Sequence, residues 1–410
     1  MEANDFHPII LGSDENAYGM ARAFHMRYGI VSTALCKLSL VATRYSKIID
    51  VNVIDGFDKE DVFAASVEKY AIRLSEKYKK LLLIPCSDRY TELASKNREL
   101  CEKYFANRFI PFDLLEKFST KESFYKICDE HGLKYPGTLA VDKADRIAAA
   151  DNIKWKYPII VKADNSNSFS YLASKFEGKK KVYFIESREE YLAVVTAMNE
   201  SGYDGRLILQ QYVPGDDTSM RVVNCFSDNG GKVRLMSFAR PVIEEYAPLA
   251  LGNYAAILTD SDEAVCAKLK KFLEDIHYTG FSNFDMKFDP ADNEYKLFEI
   301  NPRQGRSSFS VTASGYNLAE YLTEACVYDK LGETVYAKSD RLWLSVPKKI
   351  ITSYVKNDEV LSRCKKLFAE KKFDYTLLYK PDMNLKRYLR MKMYYRRHIG
   401  EYKRYYFRKD

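Results

Sequence analysis

Three side chains with oxygen donors, Asp285, Glu299 and Asn301, occur in two neighbouring segments of alternating polarity. The segments are FSNFDMKF at 281–288 and EYKLFEIN at 294–301. The turn-forming residues between the segments predict a β-hairpin. In that hairpin Asp285 lies opposite Glu299, and Asn301 projects from the same face. Two facing carboxylates repel one another unless a cation lies between them, and an all-oxygen donor set suits Mg²⁺ shared with phosphate. The alternative is the solvated polar face of an exposed hairpin.

Apolar and cationic residues accompany this polar face. The even-numbered positions of both strands are apolar, and we expect them to face the core and fix the register: Phe284, Met286, Phe288, Phe298 and Ile300. Arg303 and Arg306 follow at once in the segment PRQGRSS. Because guanidinium groups bind carboxylates and phosphates through paired hydrogen bonds, this combination indicates a site that handles anions.

Two lysines occupy positions that their local structure disfavours. A capping box that starts at Ser119 predicts a helix up to His131, and it puts Lys121 in the first turn, where the helix dipole opposes a cation. Lys162 lies in the apolar segment YPIIVKA, which predicts a buried strand, so its charge needs an anionic partner or water. The polar residues 164–181 that follow predict a mobile cover.

The elements that must position these residues fall into two patterns. Up to about residue 115, apolar runs alternate with helical patterns, which predicts a parallel sheet with helices on its faces. The expected strands are 7–11, 48–54 and 80–86, and the expected helices are 16–28, 60–78 and 90–104. The next block predicts α+β structure with largely antiparallel strands: helices at 188–200 and 262–276, and strands at 206–213, 219–226 and 232–241. Arg221 and Arg240 lie on these strands, where each could contact phosphate or form an ordinary ion pair.

The composition is that of a globular protein with more than one packed unit. The chain has 410 residues, 46% hydrophobic and 30% charged, which predicts two or three units. We find no apolar run of the roughly 20 residues that a membrane span needs and no secretory signal, so we expect a cytoplasmic protein. The eight cysteines show no CxxC pair and the five histidines no HExxH motif, which favours reduced, buried thiols and argues against a zinc hydrolase.

The positive charge is concentrated at the C-terminal end. Residues 386–410 contain ten lysines and arginines against two acids, a local charge of +8 in a chain whose total is +7. Tyrosines and other apolar residues alternate with these cations, which suits an anionic membrane surface and also a nucleic acid. The alternative is a C-terminal helix that packs its aromatic side on the protein and leaves its charges in solvent.

The segment LFEINPRQGR, preceded by NFDMKF, resembles the metal-binding signature of the ATP-grasp carboxylate–amine ligases. The resemblance implies that Asp285, Glu299 and Asn301 bind Mg²⁺, and that Arg303 steadies the transferred phosphoryl group and the developing anion. Arg240 is the second candidate catalytic residue. We expect ATP and two Mg²⁺ ions as cofactors.

The resemblance also assigns residues to the nucleotide. Lys121 and Lys162 match the two lysines that hold the phosphates of ATP, which would explain their unfavourable positions. The segment LQQYVPGDD matches the hinge of the family, with these expected contacts: Gln210, Gln211 and Val213 to adenine, and Asp217 to ribose. Many members carry Glu in this hinge, where the present chain has two glutamines that can form hydrogen bonds but carry no charge.

The resemblance covers about residues 8–330 and implies the fold class and its divisions. We expect an α/β N-terminal domain with a parallel sheet, Rossmann-like, at 1–115. An α+β ATP-grasp domain follows at 116–330, with a small lobe at about 116–210 and a large lobe at about 211–330. The remaining residues, 331–410, form a C-terminal extension with the basic, aromatic tail.

Several segments are similar to one subgroup, the D-aspartate ligases of Gram-positive bacteria: PIILGSDENAYGMARAF, TRYSKII, SFYKICDEHGLKYP, VPGDDTSMRV, YTGFSNFDMK, YKLFEINPRQGRSSF and LWLSVPKKI. Such enzymes join the β-carboxylate of D-aspartate to the lysine side-chain amine of a peptidoglycan precursor through an acyl phosphate. This resemblance implies D-aspartate and a UDP-muramyl pentapeptide or related wall precursor as partners. It also suggests that residues 386–410 make a peripheral contact with the anionic inner face of the cell membrane. A nucleic acid is not expected as a partner.

Three other functions stay open at this stage. The chain could be an ATP-grasp amino-acid or peptide ligase with other substrates. It could be a non-catalytic nucleotide sensor with a membrane- or nucleic-acid-binding tail, although a sensor has no need of the full set Asp285, Glu299, Asn301 and Arg303. A nucleic-acid-binding protein, suggested by the tail alone, would bind RNA or DNA in a salt-sensitive manner and would not turn over ATP.

Overall fold

The fold was analysed in a computed structural model that describes residues 5–164, 169–180, 182–247, 250–330 and 332–406. The chain forms two compact units. The first contains Met1–Glu116, Asp216–Asp285 and Ile300–Asp410, and the second contains Lys117–Gly215 and Met286–Glu299. The first unit is therefore built from segments that precede, separate and follow those of the second unit. The hairpin at 280–301 contributes residues to both units.

The N-terminal part of the first unit is an α/β layer structure. Its elements are β1 Phe6–Leu11, α1 Glu15–Tyr28, β2 Ser32–Cys36, β3 Ile49–Val53, α2 Glu60–Ser75, β4 Lys80–Pro85, α3 Asp88–Lys96, α4 Arg98–Tyr104 and α5 Phe112–Ser119. The four strands are parallel, in the order β3-β2-β1-β4, which confirms the predicted parallel sheet. The short strand β2 was not predicted from the sequence, and the single helix expected at 90–104 is two helices that meet at Asn97.

Both faces of this sheet are covered at the strands β1 and β4, which explains why these two strands are nearly continuous apolar runs. On β1, Phe6 and Ile10 pack into one cluster, which includes residues of α1 and of the later helix Leu318–Cys326. Ile9 and Leu11 pack into the opposite cluster, with residues of α2, α3 and α4. The carboxyl ends of the strands are therefore held on a rigid, two-sided core.

The second unit has a four-stranded antiparallel sheet. Its elements are α6 Lys121–Glu130, β5 Thr138–Val141, β6 Ile159–Ala163, α7 Phe169–Ala173, β7 Val182–Ile185, α8 Arg188–Glu200 and β8 Leu207–Gln211, and the strand order is β5-β8-β6-β7. Thr120, and not Ser119, caps α6, because its side chain accepts a hydrogen bond from Ser123 N. Of the predicted cover at 164–181, residues 165–168 and 181 lie outside the described residues.

The remaining elements complete a larger mixed sheet. They are β9 Met220–Ser227, β10 Val233–Glu244, β11 Tyr254–Thr259, α9 Glu263–Asp275, β12 Gly280–Asp289, β13 Glu294–Asn301, α10 Phe309–Ala313, α11 Leu318–Cys326, β14 Val335–Tyr336, β15 Leu342–Leu344, α12 Lys348–Tyr354, α13 Asp358–Ala369, β16 Phe373–Tyr375 and α14 Leu385–Tyr405. The order of this sheet is β13-β12-β9-β10-β11-β15-β16, and β14 pairs with β10. Residues beyond 331 thus add strands to the sheet of the first unit.

The C-terminal helix α14 packs one face on the first unit. Its buried residues recur at three- or four-residue steps: Arg387, Met391, Tyr395, His398 and Tyr402. Arg387 and Asp382 form an ion pair with Nε–Oδ2 3.2 Å in which both side chains are fully buried. The packed helix, one of the two interpretations of the tail, is therefore present, while residues 407–410 lie outside the described residues. None of the helices in the described ranges is long and apolar enough to cross a membrane.

Candidate active site

The base of the hairpin brings two predicted metal ligands together in the first unit. Asn301 Nδ2 donates a hydrogen bond to Asp285 Oδ2 at 3.0 Å, and Tyr254 OH donates to Asp285 Oδ1 at 2.8 Å. The strands are β12 and β13, and alternation fixes their faces, since Phe284 and Ile300 are buried beside these polar side chains. Asp285 is thus held from two sides, with its carboxylate oriented by neutral donors.

The alternation along the hairpin is less complete toward its tip. Phe284, Met286 and Ile300 are buried as predicted, whereas Phe288 and Phe298 are only partly buried. Glu299, the third predicted ligand, belongs to the second unit. Its position opposite Asp285 stays a prediction.

Glu299 lies beside one of the two predicted phosphate-binding lysines. Lys121 Nζ is 3.1 Å from Glu299 Oε2, and it also donates to the carbonyl oxygen of Phe298. Lys121 is the first residue of α6, and its side chain is about one-fifth exposed while that of Glu299 is half exposed. The carboxylate therefore compensates a cation that the helix dipole disfavours.

The second lysine contacts the predicted hinge. Lys162, on β6, lies with its Nζ 3.5 Å from Gln210 Oε1 on β8. The amide of Gln210 is buried and donates to Tyr125 OH at 2.9 Å and to Thr138 Oγ1 at 3.0 Å. A neutral glutamine suits this position because its amide both donates and accepts.

The other hinge residues have structural partners of their own. Gln211 Oε1 accepts a hydrogen bond from the backbone N–H of Gly137, and Val213 is buried. Asp217, in the first unit, accepts hydrogen bonds from Glu244 N at 2.9 Å and Tyr246 OH at 2.6 Å. Burial, with the nearby charge of Asp217, raises the pKa of Tyr246, so this hydroxyl stays a donor at neutral pH.

Arg303 lies where the hairpin meets the carboxyl edge of the parallel sheet. Its Nε donates to Asp88 Oδ1 at 2.5 Å, and its Nη2 lies 3.4 Å from Asn301 Oδ1. Asp88 begins α3, just after β4, and Asn16, near the start of α1, donates to the carbonyl oxygen of Gln304 at 3.1 Å. Strand order reverses between β1 and β4, and ligands of open α/β sheets bind at such a switch point.

Charge is concentrated at this edge. Burial raises the pKa of Asp14, although a hydrogen bond from Ala17 N and the charges of Arg303 and Arg306 oppose the increase. Arg306 is paired with the buried carboxylate of Glu245 and donates to the carbonyl oxygen of Tyr254 at 2.9 Å. The loop after β13 therefore carries Arg303, which lies near the predicted metal ligand Asn301, and Arg306, which fixes the backbone of Tyr254.

Arg240 and Arg221 both contact the turn after the hinge. Arg240 Nε and Arg221 Nη1 donate to the carbonyl oxygen of Thr218 at 2.9 and 3.0 Å. Arg240 also lies 3.8 Å from Glu359, and Arg221 lies 3.5 Å from Asp260. The ordinary ion-pair partners considered for these arginines are thus present, and a catalytic role of Arg240 stays a prediction.

Sequence reasoning missed Tyr254, Asp88 and Asp14 as parts of this region. Asp14 and Asp88 follow strands β1 and β4 of the parallel sheet, so the rule that ligands bind at the carboxyl edge could have found them. Tyr254 begins β11, within an uncharged run that carries no polar pattern. Only the fold brings its hydroxyl to Asp285.

The chain is similar along its whole length to a protein of described activity. A D-aspartate ligase of Enterococcus faecium is 42% identical to it over 418 residues, which is 100% of this chain and 99% of that protein. This chain belongs to the D-aspartate ligase family. It is an ATP-dependent carboxylate–amine ligase with an ATP-grasp fold.

Solved structures agree on the fold of the ligase. The L-amino acid ligase of Bacillus licheniformis superimposes with a TM-score of 0.56 at 14% identity, covering 83% of this chain and 79% of that one. The biotin carboxylase domain of the Hydrogenobacter thermophilus 2-oxoglutarate carboxylase, solved with MgADP, ADP and bicarbonate, gives a TM-score of 0.59 at 15% identity, covering 82% and 72%. No family model matches the chain.

The donor set of the hairpin fits Mg²⁺. Asp285, Glu299 and Asn301 offer carboxylate and amide oxygens, which are the donors that Mg²⁺ prefers. The predicted cofactor ATP agrees with the fold, since similar folds have been solved with adenosine nucleotides. The number of metal ions and the ligand role of each residue stay predictions.

Proposed function

We propose that the ligase joins the β-carboxylate of D-aspartate to the side-chain amine of a lysine in a peptidoglycan precursor, forming the interpeptide bridge. The observation that carries the proposal is the end-to-end similarity to a protein named D-aspartate ligase. The contact of Arg303 with Asn301 at the switch point of the parallel sheet supports a site for anionic substrates there.

The proposed reaction has two steps. In the first, an oxygen of the β-carboxylate attacks the γ-phosphorus of ATP, the bond to the bridging oxygen of ADP breaks, and a β-aspartyl phosphate forms. In the second, the neutral lysine amine attacks the acyl carbon, phosphate leaves, and the amide nitrogen loses a proton. The first step is needed because a carboxylate oxygen is a poor leaving group, whereas phosphate is a good one.

The residues of the hairpin have the charges that this chemistry requires. Mg²⁺ held by Asp285, Glu299 and Asn301 would shield the negative charge of the phosphates during transfer. Arg303 is proposed to bind the transferred phosphoryl group and then the oxyanion at the acyl carbon. Its hydrogen bond to Asp88 supports this role, because a fixed guanidinium needs no reorientation when charge develops.

The nucleotide is proposed to lie against the second unit and the hinge. Lys121 and Lys162 would neutralise phosphate oxygens. The amino group of Lys121 lies beside Glu299 of the hairpin, and that of Lys162 lies beside Gln210 of the antiparallel sheet. Gln210, Gln211 and Val213 would contact adenine through the hinge. Asp217 would bind ribose, and Arg240 is the second catalytic candidate.

The acceptor is proposed to be a UDP-muramyl pentapeptide or a related wall precursor that contains lysine. Such a precursor is anionic and in some forms lipid-linked. The basic residues at 386–410 would then bring the ligase to the inner face of the cell membrane.

The proposal is tested by phosphate release from ATP and Mg²⁺ across a panel of substrates. D-aspartate, L-aspartate and D-asparagine are each supplied with and without a lysine-containing UDP-muramyl pentapeptide. We expect release that needs both D-aspartate and the pentapeptide, and a product in which mass spectrometry finds the β-linked amide.

The matched variants are Glu299→Gln and Glu294→Gln, which make the same change at two positions of β13. We expect the first to lower turnover by at least about a hundredfold and the second to leave it near that of the unchanged enzyme. Phosphate release with another amino acid or acceptor would show that the substrates differ from those proposed. No phosphate release with any substrate pair, despite ATP binding, would instead favour a nucleotide sensor.

A further inference from the structure

A second group of potential metal ligands lies in the first unit and shares no residue with the hairpin. Glu245 follows strand β10, and His398 and Glu401 are three residues apart on one face of α14. Their donor atoms lie within 4.8 Å of one another. His398 Nδ1 is 3.6 Å from Glu401 Oε2 and 4.0 Å from Glu245 Oε2. The end of a strand and one face of a helix therefore bring an imidazole and two carboxylates together.

The imidazole of His398 is a buried polar group whose Nδ1 points at the two carboxylates, at distances too long for a hydrogen bond. The residue is 3% exposed, and within the described ranges neither ring nitrogen has a hydrogen-bond partner. Buried polar groups are rarely left in this state, because an unmet hydrogen bond is destabilising. Burial lowers the pKa of His398 although the charges of Glu245 and Glu401 raise it. The ring is therefore neutral at pH 7, and a nitrogen lone pair is available for a metal ion.

Each of the two carboxylates is oriented by an arginine. Glu245 Oε1 is paired with Arg306, and Glu401 Oε1 accepts a hydrogen bond from Arg397 Nε at 2.8 Å. In both residues the other oxygen, Oε2, is the one that lies near His398. Hydrogen bonds of this kind orient carboxylate ligands in metal sites, and the residues that make them contribute to metal affinity. The cluster thus contains both potential ligands and the groups that position them.

The nitrogen donor distinguishes this cluster from the all-oxygen set of the hairpin. Carboxylate and amide oxygens suit Mg²⁺, whereas imidazole suits Zn²⁺ and other transition metals such as copper and nickel. Zn²⁺ binds imidazole nitrogen and carboxylate oxygen at about 2.0–2.2 Å in a tetrahedral arrangement, in which neighbouring ligand atoms are about 3.3 Å apart. The separations of 3.6 and 4.0 Å from Nδ1 are slightly longer. Small movements of the two glutamate side chains would close this difference.

We propose that Glu245, His398 and Glu401 bind a Zn²⁺ ion, with water as the fourth ligand, and that the ion fastens α14 to the end of β10. Solvent can reach the fourth position, because the side chain of Glu401 is about one-fifth exposed. The inference goes beyond the proposed function, since it concerns none of the residues that would contact ATP, D-aspartate or the acceptor. The competing explanation is a buried water molecule beside His398, with no bound metal.

The proposed ion has one link to the predicted metal ligands of the hairpin. Glu245 is paired with Arg306, and Arg306 donates to the carbonyl oxygen of Tyr254 at 2.9 Å. The hydroxyl of Tyr254 in turn donates to Asp285. An ion on Oε2 of Glu245 would hold this carboxylate from a second side. It would therefore support the backbone of a residue that contacts Asp285, without touching a reacting atom.

The experiment measures Zn²⁺ binding by the full-length ligase, stripped of metal with a chelator and carrying no histidine tag. Affinity is obtained by competition with a chromophoric chelator, in a large excess of Mg²⁺ that occupies the hairpin. We expect one Zn²⁺ per chain and a higher melting temperature with Zn²⁺, because an ion that binds the folded state stabilises it. Glu401→Gln should weaken Zn²⁺ binding at least about tenfold, since even the groups around metal ligands contribute that much. X-ray absorption should find one imidazole nitrogen bound to the ion, and His398→Gln should remove it.

The matched control is Glu263→Gln, which also removes the carboxylate of an ion pair, here with Lys338 at 2.7 Å. We expect this variant to bind Zn²⁺ like the unchanged protein. Equal Zn²⁺ affinity of Glu401→Gln and the unchanged protein would overturn the proposal, as would equal weakening in both variants. An all-oxygen environment of the bound ion would assign it to the hairpin, and no Zn²⁺ binding at all would favour a buried water beside His398; either result would also overturn it. None of these measurements needs ligase activity, so a failure of the proposed substrates would leave the test intact.

Discussion

Tyr254→Phe tests whether a hydroxyl outside the family signature positions the predicted metal ligand Asp285. The hydroxyl donates to Asp285 Oδ1 at 2.8 Å, while Asn301 donates to the other carboxylate oxygen at 3.0 Å. The strand is fixed independently, since the guanidinium of Arg306 holds the carbonyl oxygen of Tyr254. Phenylalanine keeps the ring of this mostly buried side chain, so the change removes one hydrogen bond and leaves no cavity.

The size of the effect follows from the charge of the acceptor. A hydrogen bond to a charged group contributes about 1.5–3 kcal/mol, which corresponds to a factor of roughly ten to a hundred and fifty. Loss of a group that orients a metal ligand costs about ten- to a hundredfold in metal affinity or activity. We therefore expect Tyr254→Phe to raise the Mg²⁺ concentration for half-maximal ADP formation by roughly ten- to a hundredfold.

The assay is ADP formation against free Mg²⁺ at saturating ATP and substrates, with the melting temperature measured beside it. Tyr278→Phe is the matched control, because that buried hydroxyl donates to the backbone carbonyl of Phe281 and not to a ligand. We expect the control to leave the Mg²⁺ dependence unchanged. If Tyr254→Phe lowers the melting temperature while its Mg²⁺ dependence stays within about twofold of the unchanged enzyme, the hydroxyl is structural and the reasoning is refuted.

Three further changes have expected outcomes. Burial raises the pKa of Glu15 to about 7, so the stability present below pH 4.5 is lost as the pH rises to 7. In urea unfolding at pH 8, the free energy of unfolding of Glu15→Gln should therefore exceed that of the unchanged protein by up to about 3 kcal/mol. A difference between the two proteins that does not vary with pH would contradict this. Asp382→Ala leaves Arg387 buried without its ion-pair partner and should cost about 3–5 kcal/mol by chemical denaturation, a loss under 1 kcal/mol being inconsistent with the buried pair. Lys121→Gln should raise the KM for ATP by roughly tenfold or more, whereas Lys126→Gln on the same helix should not, and equal effects would argue against a phosphate contact.

Local pattern was sufficient for the elements whose periodicity is strong. The helix α8, Arg188–Glu200, matches its predicted bounds, and the hairpin strands β12 and β13 lie within two residues of theirs. Parity along the hairpin correctly buried Phe284 and Ile300, and so left Asp285 among polar neighbours. Side chains of a strand alternate between its two faces, so an apolar face that must be buried determines which residues lie on the polar face. This part of the site could therefore be predicted.

Partners that come from distant parts of the chain could not be predicted in this way. Arg303 and Asp88 are 215 residues apart, and Asn16 and Gln304 are 288 apart. The sequence identifies Arg303 as a cation beside a polar hairpin, but its neighbour depends on how the parallel sheet is placed within the first unit. The short strand β2 was missed for a related reason, since five residues between two loops carry too little periodicity.

The two lysines show what a local violation can indicate. A lysine at a helix N-terminus is unfavourable by about 0.3–1 kcal/mol, and a buried strand is no better a place for an amine. Within the second unit the charge of Lys121 is compensated by Glu299, with Nζ 3.1 Å from Oε2. This ion pair joins a proposed phosphate-binding residue to a proposed metal ligand. Binding of nucleotide with Mg²⁺ would replace that single pair by two stronger ones, lysine with phosphate and carboxylate with metal. Because a partly exposed ion pair is worth at most about 1 kcal/mol, its loss opposes binding only slightly.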